Sequence, residues 1–360
     1  MTEHSRPARR DASPAPIAVA RVDGLAPEID AVADAAAPTH RFLRRQWFAA
    51  AVETYGGHAR TLVASVAGVP AAALPLVRIG PAALRIASLP GCYWPFRSFP
   101  VAAGLADRAV IDALLRMLAR DARALRIGPV YDGDASVAPL LACARAAGWG
   151  LISRKIADSF LLDMDVAREE GIWPRNSTLK KNRFHEKHLA AHGTLDWSFV
   201  DKARWPEAFD AMAAIERKSW LDARTDGRDA KFTAQGHGAF FRAAARDPAI
   251  ADMFHAALLR VDEAPAAFSF DIDAGTLKYA IANSYDPAFA KHSPGKLLYY
   301  RNLVEALGRG IARVDWGAGD SGYKRVIGAS EGPAIRDWLL LRPGATALAA
   351  PLIARIWRDQ

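Results

Sequence analysis

The stretch SYDPAFAKHSPGKLLYYRNLVEALGRG, residues 284–310, begins with turn-forming residues and continues as a helix. At its centre stand Ser293, Pro294, Gly295 and Lys296. Serine is a favoured N-cap and proline a favoured first helical residue. The spacing therefore predicts a helix from Pro294, with Tyr300, Leu303, Val304 and Leu307 on one face and an end at Gly308 or Gly310. The first N–H groups of such a helix, those of Gly295, Lys296 and Leu297, have no earlier turn to bond to. With the helix dipole they make a place for an anion. Gly295 leaves the backbone open to a ligand and Lys296 adds a charge. On this reading Gly295→Glu removes anion binding and leaves thermal stability nearly unchanged. The same four residues also suit a helix start that binds nothing, so the flanking sequence has to decide.

Working outward, three strands precede the stretch. MFHAALLRV (253–261) turns at Asp262-Glu263 into PAAFSFDID (265–273), which turns at Ala274-Gly275 into TLKYAIANS (276–284). After it come strand 311–316, a loop with Asp320, a short helix to Gly328 and strand 334–341. The first half of the chain closes in the same order. Helix 109–125 leads to strand 126–130, an acidic loop YDGDAS (131–136), a helix to Gly148-Trp149 and strand 151–164. Both closing series follow consecutive strands. The expected architecture is α/β, with two similar units that each carry a mixed central sheet flanked by helices. The expected limits are a disordered tail over 1–20, a first domain over 21–165 and a second over 166–360.

Composition agrees with a globular chain: 360 residues, 51% hydrophobic and 24% charged. Formal net charge is +8, which favours anionic partners without choosing among them. Cys92 and Cys143 form no CxxC pair and read as small core residues. His185, His188 and His192 have ligand-like spacing on a basic helix, but no HExxH carries them, and no metal is expected. No signal peptide and no run of about 20 apolar residues is present, so a cytoplasmic location is expected.

With that order in place, YDPAFAKHSPGKLLYYRNLVEALGRGIARVDWGAGDSGYKRVIG (285–328) resembles the GNAT superfamily of N-acyltransferases. STLKKNRFHEKHLAAHG (177–193) and IERKSW (215–220) support the resemblance. More closely it resembles the two-domain group of CelD/BcsL-type proteins associated with cellulose and exopolysaccharide synthesis, and more distantly Fem-type aminoacyl transferases. Typical members carry Gln/Arg-x-x-Gly-x-Gly/Ala after an upstream proline. Here Pro287 matches the proline and Gly295 the first glycine, His292 replaces Gln/Arg and Leu297 the last small residue. SFPVAAGLADRAV (98–110) in the first half has no comparable loop, which implies a degenerate first domain serving the acceptor.

The resemblance implies transfer of an acyl group, acetyl the simplest, from acyl-CoA to an amine of a small or sugar-type acceptor. It implies that the backbone of Ala282, Asn283, Ser284 and Tyr285 binds the pantetheine and the carbonyl. It further implies that His292, Ser293, Pro294, Gly295, Lys296 and Leu297 hold the pyrophosphate, and that Tyr323 protonates the leaving thiolate. Lys324 reads as a phosphate or substrate contact or as a solvated charge. Glu216, Asp315 and Asp320 compete as the base, with a water relay as another route. Asp315 shares the polar face of its strand with Arg313, near a strand end where ligands gather.

For the acceptor, Lys180, Arg183 and Lys187 recur on one face of the basic helix 174–193, capped at Ser177. Trp94 and Arg97, in GCYWPFRSFP (91–100), and Trp220 are aromatic or cationic candidates for the same task. A tRNA-borne donor and a non-catalytic scaffold are the two other readings of the sequence.

Overall fold

Asp262 and Glu263 both take positive φ, 48° and 67°, the geometry of a two-residue hairpin whose twist matches its strands. That turn sets the register of two strands buried on both faces, Phe254–Val261 and Ala264–Ala274. Around such strands a computed structural model of the chain describes residues 15–91, 97–170, 175–219, 229–320 and 322–358. The first half runs β1 (Ile17–Asp23), α1 (Glu28–Asp34), α2 (Arg45–Tyr55), β2 (Ala59–Val66), β3 (Val69–Ile79), β4 (Ile86–Ser88), α3 (Arg108–Asp121), β5 (Ala124–Tyr131), α4 (Val137–Ala146) and β6 (Gly150–Asp163). Next come α5 (Met164–Glu169), α6 (Asn176–Leu189), β7 (Leu195–Phe199), α7 (Trp205–Lys218), α8 (Gly238–Ala244), α9 (Pro248–Ala251), β8 (Phe254–Val261), β9 (Ala264–Ala274) and β10 (Leu277–Tyr285). The remainder is α10 (Pro294–Gly308), β11 (Arg313–Ala318), α11 (Tyr323–Ile327), β12 (Ser330–Leu341), α12 (Ala345–Leu348) and α13 (Ala350–Arg358). β1 starts at Ile17, so the expected disordered tail does not extend to residue 20: Ile17–Asp23 pairs along β2.

The twelve strands of the described residues form one sheet in the order β1-β2-β3-β4-β5-β12-β6-β11-β10-β9-β8-β7. The order reads as two copies of one pattern meeting head to head. β1 to β5 correspond to β7 to β11: β4 pairs parallel with β5, as β10 does with β11, and the other neighbours are antiparallel. Even the irregularities match, between Ala64 and Ser65 in one half and Leu259 and Arg260 in the other. The closing strands are exchanged. β12 inserts between β5 and β6, and β6 between β11 and β12, so each half completes the other's sheet.

On one face α1 and α2 pack with α7 and α8 in a single apolar core that crosses the halves, with Trp47 4.6 Å edge-on to Phe240. Arg44 reaches Asp247 at 3.1 Å along the same seam. On the other face α3 and α4 cover the first half, and Tyr299, Leu303 and Ala306 of α10 seal the second against Val314 and Trp316. Val304, expected on the apolar face of α10, is 52% exposed. The buried face is turned toward Tyr299 and Asn302 instead. No helix among the described residues is long and apolar enough to cross a membrane.

Where the exchanged strands cross, Asp337 of β12 is fully buried and accepts from Arg126 of β5, at 2.6 Å, and from Arg154 of β6, at 3.2 Å. One carboxylate thus ties three strands of both halves. Removing it leaves two guanidinium groups sharing a partly buried site without a counter-charge. Asp337→Ala is expected to cost about 3 kcal/mol in urea unfolding and Asp337→Asn clearly less. A loss below about 0.5 kcal/mol for the alanine variant would show that the crossing does not depend on the ion pair.

Candidate active site

β10 and β11 pair only at Leu277–Arg313, Lys278–Val314 and Tyr279–Asp315. Beyond these, β10 stays with β9 through a bulge between Ala280 and Ala282, while β11 follows β6. The two strands therefore part and leave a fork in the sheet. Ala282, Asn283, Ser284 and Tyr285 lie on the β10 arm, and Asp315 sits at the root. A 3-10 turn, Pro287–His292, then carries the chain to the start of α10. Asp286 holds that turn by accepting from the Ala288 N–H at 3.0 Å, and is itself gripped by Lys218 at 2.9 Å.

Two expectations about the mouth of α10 change. Ser293 occupies the N-cap position at φ 50°, and its side chain makes no capping bond. Its carbonyl accepts from the N–H groups of Lys296, at 3.0 Å, and Leu297, at 3.1 Å, which leaves Gly295 alone of the three expected amides outside that pattern. Gly295 is buried against the β10 arm: a Cβ there would lie 2.9 Å from Asn283 Oδ1 and 3.0 Å from Tyr285 Cδ1. Asn283 Nδ2 also donates to the Gly295 carbonyl at 3.3 Å. The glycine is thus required by the close approach of strand and helix. Gly295→Glu would strain the fold as well as any ligand site, so stability would not stay unchanged.

α10 is aimed by a buried polar network. Lys278 and Asp271, both fully buried, pair at 3.3 Å, and Asn302 of α10 donates to Asp271 at 2.6 Å and to Ser269 at 2.8 Å. Burial pushes the Asp271 carboxyl up and the Lys278 amine down, and each opposes the other's shift by its charge. Arg309 at the helix end joins Asp273 and reaches His255 Nδ1 at 2.7 Å. The helix is thereby fixed to β8, β9 and β10 at both its middle and its end.

The basic helix α6 packs beside the 3-10 turn and α10. Its N-cap is Arg175, with no side-chain capping bond, and Ser177 lies inside the first turn instead of capping it. The face it turns to the mouth holds Lys181, His185 and His188. Burial, then the charges of Lys181, Lys296, His292 and His188, hold His185 below its ordinary value. His292 meets His192 at 2.9 Å between Nε2 atoms, and it too is held low, by desolvation and then by His192, His188 and Lys291. Of the predicted trio, Arg183 lines a cleft of about 500 Å³ with Trp197, Arg301 and Leu297 of α10, and Lys187 borders a depression beside Asp262. Lys180 is exposed.

The three carboxylate candidates separate clearly. Glu216 is buried and accepts from the N–H groups of Lys231, at 2.9 Å, and Phe232, at 2.8 Å, so both oxygens hold a loop. Asp320 is exposed, pairs with Arg325 at 2.5 Å and caps Gly322, which lowers its pKa. Burial pushes the Glu216 carboxyl up against those two hydrogen bonds, whereas Asp320 is held low by Arg325. Asp315 is 4% exposed, and burial pushes it up to about 6 against hydrogen bonds from Tyr131 and the Gly317 N–H and the charge of Lys324. Its neighbour Tyr279 is raised by burial and then by the Asp315 and Asp134 carboxyls.

Lys324 is not a solvated charge: it is buried, and Nζ donates to the carbonyls of Trp316, Ala318 and Gly319 at 2.8–2.9 Å. It staples the loop that follows β11. Tyr323 is half exposed at the start of α11, its ring 5.7 Å edge-on to Trp316. Arg97 lines a small cleft of about 250 Å³ in the first half, with Tyr55 and Gly91. Trp94 and Trp220 lie outside the described residues. The sequence reading missed Tyr131, Tyr279, Lys278 and Asn302. The visible signal for the buried network was a set of charges, Asp271, Asp273 and Lys278, inside otherwise apolar strands.

Residues 176–325 match the acetyltransferase (GNAT) domain family. A search of curated proteins by sequence finds no match. Among solved structures the chain is similar to FemX, at 14% identity and TM-score 0.57, covering 91% of this chain and 98% of that one. It is also similar to a conserved protein of Bacteroides thetaiotaomicron, at 12% identity and TM-score 0.55, covering 87% and 96%. A DUF2156 C-terminal domain from Agrobacterium fabrum matches at 16% identity and TM-score 0.52, covering 91% and 96%. At these identities the likeness is one of fold. The fork between β10 and β11 and the helix at its mouth lie within the stretch that matches the acetyltransferase (GNAT) domain family, and the chain as a whole shares its fold with these structures; the match supports a transferase.

Proposed function

We propose that the fork between β10 and β11 binds the pantetheine arm of an acyl-CoA, acetyl-CoA in the simplest case, and that the acyl group passes to an amine of a small or sugar-type acceptor. The observation that carries this reading is the parting of the two strands directly beyond Tyr279 and Asp315, at the mouth of α10. The unpaired edge of the β10 arm offers backbone groups to an extended amide chain. The Gly295 N–H, Lys296 and His292 offer donors to the pyrophosphate. A dedicated metal has no part in it.

In the reaction, Asp315 takes the proton of the attacking amine, directly or through water. The C–N bond forms as the C–S bond breaks, and Tyr323 gives its proton to the departing thiolate. Tyr131, from the first half, holds Asp315 in place. An acceptor entering from the first half's side reaches the same root, which supports the acceptor role inferred for that half. A CelD/BcsL-type setting in exopolysaccharide synthesis belongs to the same proposal. So does a cytoplasmic location. The charges of α6 favour a second reading, an aminoacyl group delivered by tRNA as in Fem-type transferases.

Calorimetric titration with acetyl-CoA is expected to show one site per chain, weakened at least tenfold by Lys296→Glu with an unchanged melting temperature. Absence of binding by acetyl-CoA and by longer acyl-CoAs would end the reading. For Asp315 the expected pH profile loses activity as pH falls through about 6. Because its folded pKa lies above the unfolded one, burying this carboxylate destabilises the protein as pH rises through that window. Asp315→Asn is therefore expected to raise stability at pH 8 by about 1–3 kcal/mol while lowering turnover on any accepted amine at least 100-fold. A variant with lower stability and full activity would assign Asp315 to structure alone.

A further inference from the structure

The basic surface beside the fork is larger than a coenzyme needs. Coenzyme A brings three phosphates to the mouth of α10, where Lys296, His292 and the Gly295 amide already lie. α6 extends the positive surface by 14 residues, about 21 Å of helix. Lys180, Lys181, Lys187 and His188 are exposed along it. The only acid in α6, Glu186, is taken by Arg301 at 2.5 Å. Asp286, the carboxylate that opens the adjoining turn, is taken by Lys218. In the middle of these charges Phe184 is 60% exposed, its ring 4.2 Å from that of His188. An exposed aromatic ring set among unneutralised cations is the anatomy of a transient protein interface: an apolar anchor with a charged rim that steers the partner.

We infer that this face docks a small acidic protein that carries the acyl group as a thioester on its own phosphopantetheine arm, and that the arm enters the fork where coenzyme A would. The inference rests on the thioester reading of the fork and names a carrier for its donor. The bookkeeping of the transfer is unchanged. The carbon–sulfur bond to the carrier's arm breaks, the carbon–nitrogen bond to the acceptor forms, and the amine's proton ends on the carrier's thiol. One helix length of cations around one phenyl ring suits a partner helix of alternating acids laid along α6. A nucleic acid would instead ask for a longer track of phosphate contacts.

The test compares three probes on the full chain: acetyl-CoA, the uncharged acetyl-pantetheine, and an acidic acyl carrier protein bearing acetyl-phosphopantetheine. The carrier is expected to bind at micromolar Kd, to displace acetyl-CoA, and to weaken steeply with salt. Phe184→Asp and Lys180→Glu, both exposed and one helical turn apart, are expected to weaken the carrier at least tenfold and to change acetyl-CoA and acetyl-pantetheine less than twofold. Acetyl-CoA binding without carrier binding, or carrier affinity untouched by both variants, overturns this inference and leaves the thioester reading standing. Failure of all three probes overturns both. Transfer RNA binding that Phe184→Asp abolishes, with no carrier binding, overturns it in favour of a nucleic-acid surface.

Discussion

Strands β6 and β12 lie side by side over most of their length, each sewn on its other edge to a strand of the opposite half. Everything else in the molecule hangs from this exchange. It makes one twelve-stranded sheet out of two patterns, and it buries Asp337 among Arg126 and Arg154 where they meet. It also draws β11 away from β10, because β11 continues along β6 after Asp315. The fork of the second half is thus held open by a strand that belongs, in chain order, to the first. In the first half β4, three residues long, likewise pairs with β5 at three positions, and a cleft of about 250 Å³ lies beside its end.

The second constraint is the aim of α10. A helix laid on a sheet by apolar contacts alone can slide by part of a turn at little cost. The Lys278–Asp271–Asn302 network does not allow that, since moving α10 would strand buried charges. Gly295 completes the arrangement by letting the helix start touch the β10 arm. Rigidity at the mouth and openness at the root are therefore separate achievements, one built from buried charge, the other from strand pairing.

Much of this was legible in the sequence, and the illegible part has a physical pattern. Strands and helices announced themselves by periodicity and by turns such as Asp262-Glu263, since those depend on neighbouring residues. The doubled element order was visible for the same reason. The exchange of β6 and β12 was not, because both antiparallel partners satisfy the same alternation and nothing local names one. Sites suffered likewise. Asp315 could be placed on a polar strand face, but that Glu216 is spent on the amides of Lys231 and Phe232 depends on a loop folded back from 15 residues away. Lys324 looked like a free cation because its partners are backbone carbonyls, which no sequence displays. The basic helix was read correctly as basic. Which of its faces meets the mouth is set by packing against α10, so Lys181 and His185 were overlooked in favour of Lys180, Arg183 and Lys187.

The exchanged strands also impose an order on the protein's birth. As the chain leaves the ribosome, β5 and β6 emerge with a strand-wide gap between them that no residue yet made can fill. Three raw sheet edges, the outer side of β5 and both sides of β6, stay available for wrong pairings until Ser330–Leu341 has been synthesised. The first half is therefore obliged to wait for the second. A chain stalled or cut before residue 341 leaves behind an incomplete sheet, hungry for a strand from a neighbouring copy.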